Sequence, residues 1–158
     1  MLASTLQKSL LAAATVLSFL PGMIKVAQAQ STSDLFGAIA YSHSTGVYTS
    51  VTGSSRQQAE RSAFYNCQQQ SRANDCSVPL WFKNAWGALA VGSNGAYGTG
   101  WGYDTNHPKK GRTIAGRYAV QTCQKYGGIN CRVIFTTEAR YQVIDNGTVL
   151  VPANQQVY

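Results

Sequence analysis

The feature that most constrains this chain is a long-range echo. Phe36-Gly37-Ala38-Ile39-Ala40 returns fifty residues later as Trp86-Gly87-Ala88-Leu89-Ala90. Each copy runs into a turn, His43-Ser44-Thr45-Gly46 in the first and Ser93-Asn94-Gly95 in the second. Asn-Gly between apolar stretches is a strong hairpin signal, and the favoured two-residue turn needs positive φ at both central residues. A helix follows in each copy. The first is predicted to open at Ser54-Ser55, where Ser55 and Gln58 have the spacing of a capping box. The second is predicted to open near Gly111-Arg112-Thr113. Ala59, Ala63 and Cys67 stand four apart, as do Ala115, Ala119 and Cys123. Residues at that spacing share one helix face, so each helix lays a stripe of small residues that lets it approach a sheet closely. A second cysteine then opens a strand, at Cys76-Ser77-Val78 and Cys131-Arg132-Val133. Pro79 suits an edge strand or an irregular stretch. Tyr141 to Ile144 and Thr148 to Val151, around Asp145-Asn146-Gly147, read as a third hairpin without a helix. Strands alternating with single helices through tight turns predict an α+β domain. It has two tandem hairpin-helix-strand repeats (about 36–85 and 86–139), a C-terminal hairpin, and a mainly antiparallel sheet carrying two helices.

The repeat also bears on the cysteines. Four cysteines allow three connectivities, and matched positions in the two copies favour the local pairs Cys67–Cys76 and Cys123–Cys131. Each would tie the end of a helix to the next strand. A four-cysteine zinc site is the competing use, but it wants pairs spaced Cys-x₂₋₄-Cys, closer than those here.

The N-terminus accounts for why cysteines should be oxidised. Lys8 is followed by an uncharged apolar run from Leu10 to Phe19, then by Pro21-Gly22 and Ala27-Gln28-Ala29. That order of basic, apolar and small residues is a secretory signal peptide, with cleavage expected after Ala29. An uncleaved anchor is the alternative, although the apolar run is shorter than the roughly 20 residues that span a bilayer. Residues 30–158 then form a single domain in a secreted or periplasmic setting, where disulfides persist. No later segment is apolar enough for a membrane span. Of 13 basic side chains, Lys8 and Lys25 precede the cut, which leaves 11 against six acidic and a formal charge of +5. Such a charge favours acidic partners, and it also serves plain solubility.

These motifs together resemble the DUF4189 family of exported bacterial domains. The resemblance is carried by Gly-Ala-Ile-Ala, the hairpin, an alanine-rich helix ending in cysteine, the second cysteine, and Phe82-Lys83-Asn84-Ala85 leading into Gly-Ala-Leu-Ala. It extends from about Leu35 to Ile134. Many relatives carry a further cysteine where this chain has Trp86, so the resemblance implies two disulfides here in place of three. It implies a fold and a compartment, and supplies no functional residues.

Catalytic chemistry needs a nucleophile with a base, paired carboxylates or a metal cluster. His43, beside Ser42 and Ser44, reads as a solvated turn. Asp104-Thr105-Asn106-His107-Pro108 is oxygen-rich but holds one carboxylate, and calcium loops usually carry several. Asp34, Glu60, Asp75, Asp104, Glu138 and Asp145 are dispersed. No catalytic residue, metal ligand or cofactor is assigned. Two features remain for binding. Tyr97, Trp101 and Tyr103 share a face by strand alternation, opposite Gly98, Gly100 and Gly102; they either stack on a ligand or pack beneath the helices. His107, Lys109, Lys110, Arg112 and Arg117 surround the start of the second helix, where cations oppose the helix dipole. They form either an anion site or a solvated surface. The expectation is a non-enzymatic interaction domain for another exported protein or an acidic envelope polymer, with nucleic acid not expected. A small envelope-polymer hydrolase is one alternative. An inhibitor of a secreted enzyme, acting through an extended loop at Asp104–Gly111, is another.

Overall fold

A computed structural model describes residues 34–143 and 150–152; the expected signal peptide lies outside them. The chain runs β1 (Phe36–Ser42), β2 (Tyr48–Gly53), α1 (Arg56–Ser71), β3 (Cys76–Lys83), β4 (Ala85–Val91), β5 (Tyr97–Gly102), α2 (Pro108–Lys125), β6 (Arg132–Ala139), β7 (Tyr141–Val143) and β8 (Leu150–Pro152). This is the α+β order of two hairpin-helix-strand repeats and a final hairpin. The turn between β7 and β8, Asp145-Asn146-Gly147 included, lies outside the described residues.

The antiparallel strands divide into one sheet per repeat. The first has order β2-β1-β3 and the second β5-β4-β6. In each, the first strand of the hairpin lies in the middle, paired antiparallel on both sides. Strand alternation then sorts the echoed residues into two faces. Ala38 and Ala40 of β1 turn to α1 and pack with Ala59, Ala63 and Cys67. Ala88 and Ala90 of β4 do the same with Ala115, Ala119 and Cys123 of α2. The intervening residues turn the other way. Ile39, Tyr41, Phe82 and Leu89 gather in a third cluster, between the two sheets. The molecule is thus layered helix, sheet, sheet, helix. Ile39 and Leu89 are wholly buried in the centre, each contributing about 1.5–3 kcal/mol by removal from water.

At that centre the two copies share one ring. Phe82 lies opposite Gly37 across the β1–β3 pair. A Cβ on either Gly37 or Gly87 would collide with its ring. The glycine that opens each echoed strand therefore makes room for a single phenylalanine. Thr137 holds the matching place in the second copy, opposite Gly87.

Both predicted disulfides form, Cys67–Cys76 and Cys123–Cys131, with Cα atoms 6.1 and 6.2 Å apart. The capping box at α1 is present in shifted form. Ser55 Oγ accepts from the Gln58 amide at 3.2 Å, while Gln58 Oε1 accepts from the amide of Ser54, one residue earlier than expected. Pro79 lies on β3, an edge strand, where the register with β1 slips between Ile39 and Tyr41.

Two local expectations are corrected. The second helix begins at Pro108, a turn earlier than Gly111, because proline at the first helical position has the right φ and lacks only an amide that would have no partner. The Asn94-Gly95 turn has positive φ only at Gly95. The loop is three residues long, closed by Gly92 N–H to Ala96 O at 2.7 Å and Gly95 N–H to Gly92 O at 3.0 Å. Asn94 is held instead by its side chain. Its Oδ1 accepts from the Ile129 amide, and its Nδ2 donates to Gly127 O.

Candidate functional site

The glycines of β5 decide where the site forms. Gly98, Gly100 and Gly102 point at α2, and the helix backbone sits directly on them. A Cβ on Gly100 would lie 2.5 Å from the Ala119 amide nitrogen, and one on Gly102 equally close to that of Ala115. With no side chains between, α2 packs chiefly on β5 and only secondarily on the central strand. β5 is the edge of its sheet. The helix is consequently carried toward that edge, and its flanking residues Ile114, Tyr118 and Thr122 overhang it.

Between this overhang and the strand lies an open groove of about 730 Å³, lined by Thr99 to Tyr103 on one side and Ile114, Arg117, Tyr118 and Thr122 on the other. It continues in both directions. Thr99 and Thr122 also border a hollow of about 480 Å³ with His43, Pro79, Tyr97 and Tyr126. Trp101 also borders one of about 410 Å³ along β3, from Pro79 to Lys83. Exposed rings stand along the whole length: Trp101 is 58 % exposed, Tyr103 50 %, Tyr118 47 % and Trp81 40 %. The Arg56 guanidinium lies 4.3 Å from the Trp81 ring centroid.

The three aromatic residues singled out from the sequence are therefore placed unequally. Trp101 and Tyr103 stand in the groove wall. Tyr97 is half-buried, its ring 4.8 Å from that of Tyr41. None lies beneath a helix, since the glycines take that face. Of the basic residues, Arg117 lines the groove, with its guanidinium over the Tyr118 ring. Arg112 lies on the other flank of α2, 5.9 Å from the Trp86 ring centroid. Lys109 and Lys110 are exposed on the first turn of α2, and His107 precedes it. The five basic groups thus spread around the helix end and do not converge on one point.

The expected extended loop is also shorter than Asp104–Gly111. Its second half is helix, and its first half is a tight turn in which Asp104 Oδ1 accepts from the amides of Asn106 (3.0 Å) and His107 (2.8 Å). The His107 amide, burial's opposing effect and the Asn106 amide leave the Asp104 carboxyl below its usual range, with His107 and Lys110 adding positive charge nearby. A carboxylate already stands at this end of α2, which offsets the cations otherwise misplaced against the dipole.

The other described carboxylates are likewise engaged. Asp34 pairs with Lys83 at 2.6 Å, Glu60 with Arg56 at 3.0 Å, and buried Glu138 with Arg140. Asp75 accepts from Ser42 Oγ and from the Ser44 amide, both at 2.6 Å, which lowers its pKa to about 2. The Ser42 hydroxyl is thereby turned to Asp75 and not to His43, whose ring lies 6.2 Å from that of Tyr97. Among the described residues, no three His, Cys, Asp or Glu side chains gather as metal ligands, and no helix is long and apolar enough to cross a membrane.

Sequence reasoning missed Ile114, Tyr118 and Thr122. The signal was present, because each immediately precedes a member of the Ala115-Ala119-Cys123 stripe and so occupies the neighbouring row of the helix. What was lacking was the knowledge that this row overhangs a sheet edge.

No curated protein and no solved structure shows significant similarity to the chain. A family model described as a domain of unknown function, DUF4189, matches residues 36–138. Those bounds run from the first residue of β1 to the penultimate residue of β6, and so enclose both repeats and both disulfides. The chain belongs to the DUF4189 family.

Proposed function

We propose that this protein is an exported, non-enzymatic recognition domain that binds another exported protein or an acidic envelope polymer along the groove between β5 and α2. The observation that carries the reading is the groove's composition. It is long and open, walled by exposed Trp101, Tyr103 and Tyr118, and Arg117 is the charged residue in its lining. Half-exposed aromatic rings are a poor use of apolar surface in an isolated domain, whereas rings and arginine are the residues that dominate binding interfaces. The formal charge of +5 on residues 30–158 favours an acidic partner. The described carboxylates are occupied in ion pairs or turns, so the groove has no acid–base pair of its own. Two disulfides supply the rigidity that recognition by a small domain requires, and the N-terminal leader accounts for their oxidation.

The test is retention of the oxidised protein on insoluble cell envelope and, separately, on immobilised soluble exported proteins. Specific retention by either, weakened at least about tenfold by Trp101→Ala or Arg117→Glu, is expected for loss of one anchoring contact. Retention indifferent to both substitutions would move the binding site elsewhere. Steady release of soluble fragments from the envelope would instead favour the hydrolase.

A further inference from the structure

We infer that the groove takes an extended acidic peptide, which adds to the second sheet as a fourth strand beside β5; this rests on the recognition reading above and names the partner's chemistry. The argument starts with the backbone. Gly92 N–H donates to Ala96 O, and the register continues from this pair without a slip through Ala90↔Gly98, Ala88↔Gly100 and Trp86↔Gly102. In an antiparallel ladder, hydrogen-bonded pairs alternate with non-bonded ones. Gly98, Gly100 and Gly102 therefore exchange their bonds with β4. Tyr97, Thr99 and Trp101 direct their N–H and C=O groups outward, to the side where, among the described residues, the sheet has no further strand.

Edge strands are normally guarded by proline, by charge or by irregularity. The neighbouring edge β3 carries Pro79, Lys83 and a register slip. β6 carries Arg132, Glu138 and a register slip. β5 reads Tyr-Gly-Thr-Gly-Trp-Gly, with no proline and no charge, and pairs with β4 without a slip. Its outward groups open into a groove that already has two walls, Trp101 and Tyr103 on one side and the α2 row Ile114, Tyr118 and Thr122 on the other. A strand lying between an edge and an adjacent helix is a recurrent way to hold a peptide. The ladder supplies affinity, and pockets for alternate side chains supply selectivity. Charge sets the class of peptide. Arg117 is in the wall, and no carboxylate among the described residues lines the groove. Aspartate or glutamate on the incoming strand would face Arg117.

The experiment pans a random heptapeptide library displayed on phage against the oxidised protein, then synthesises the enriched peptide. Strand addition predicts enrichment of acidic sequences. It predicts that N-methylation at every second residue weakens binding about tenfold, the worth of one well-placed hydrogen bond, while methylation of the intervening residues changes it little. On the protein side, amide hydrogen exchange at Thr99 and Trp101 should slow about tenfold with saturating peptide, and that at Gly98 and Gly100 should not change. Thr99→Pro, tolerated where an edge amide faces solvent, should keep the fold and lose the peptide; the N-methyl series makes the same point without altering the protein. Failure to enrich any peptide overturns the proposal. So does a peptide that binds without slowing exchange at Thr99 and Trp101, because rings alone would then be holding it. If envelope or protein retention still depends on Trp101 while no peptide is enriched, strand addition falls and the recognition site stands. If retention ignores Trp101 as well, both fall.

Discussion

The two repeats have the same topology and nearly the same local chemistry, yet the groove described above, between hairpin strand and helix, belongs to the second. The helix-facing positions of the outer hairpin strand are Thr49, Val51 and Gly53 in the first copy, and Gly98, Gly100 and Gly102 in the second. Thr49 donates its hydroxyl to Ala63 O at 2.7 Å, and Val51 packs beneath α1. These side chains act as spacers, and α1 rests chiefly on the central strand β1. Removing the spacers lets α2 settle onto β5 and extend past the sheet. Two missing side chains thus convert a plain helix–sheet layer into a layer with an overhang. The lesson is that a duplicated unit can acquire a site by losing side chains, without any new element.

The same comparison appears at the hairpin turns. Each turn is clasped to the disulfide loop of its own repeat, by opposite means. In the first, the loop provides the side chain: Asp75, next to Cys76, accepts from the turn. In the second, the turn provides it: Asn94 reaches over to the backbone at Gly127 and Ile129, just before Cys131. One clasp is ionisable and the other is not.

The strongest way to break the equivalence of the copies lies at the shared ring. Phe82→Ala should cost about 4 kcal/mol, because the cavity would open at the contact between the sheets. If the copies are interchangeable there, Phe82→Thr combined with Thr137→Phe should recover a large part of that loss in a denaturant titration. No recovery would mean that the sheets are not related closely enough for the ring to enter from the other side. Next in size is Gly100→Val, which inserts the first copy's side chain into the second. It should cost about 3 kcal/mol through collision with the helix backbone, lower the melting temperature, and widen or erase the groove. A neutral result would mean that α2 slides freely, contrary to the origin assigned to the overhang.

The disulfides come third. Their sequence separations are 9 and 8 residues, so replacing either pair by alanines should cost a similar amount, about 2–3 kcal/mol. A clear inequality in thermal stability would expose a difference in the reduced, unfolded loops. The smallest effect concerns the clasps. The pKa of Asp75 is lowered to about 2 by its two hydrogen bonds to the first turn. A depressed carboxyl pKa contributes stability above the unfolded value, near 4, and that contribution disappears as pH falls toward 2. Asp75→Asn should therefore flatten the stability profile between about pH 4 and 2, leaving the remaining acid response to the other carboxylates. Asn94→Ala should lower stability by about 1 kcal/mol, equally at every pH. A pH-dependent loss from the asparagine variant would contradict the assigned division of roles.

Much of the fold could be read directly. The echoed pentapeptides, the Ala-Ala-Cys stripes and the matched cysteines specify elements whose determinants are local in the chain, and each is present where its residues placed it. The errors have different causes, one local and one long-range. The extra turn of α2 depended on weighing Pro108 as a helix opener, and the Asn94-Gly95 turn depended on a side-chain partner 35 residues away. The candidate site was legible only in pieces. Trp101, Tyr103 and Arg117 were identified as two unrelated features, an aromatic strand and a basic helix end. Tyr118 and Thr122 do not stand out in the sequence, because a residue beside a buried stripe is ordinarily a flank exposed to solvent.

By itself the sequence determined the elements, their order and the helix faces turned inward, and favoured the covalent pairing, since helix and strand periods, capping residues and repeated cysteines all act over short separations. The tertiary structure alone decided that the strands form two facing sheets, that one phenylalanine serves both copies, and that β5 ends its sheet beneath an overhanging helix. These depend on how closely backbones approach. A run of alternate glycines permits close approach without saying what will approach, and only the packed chain shows that it is α2.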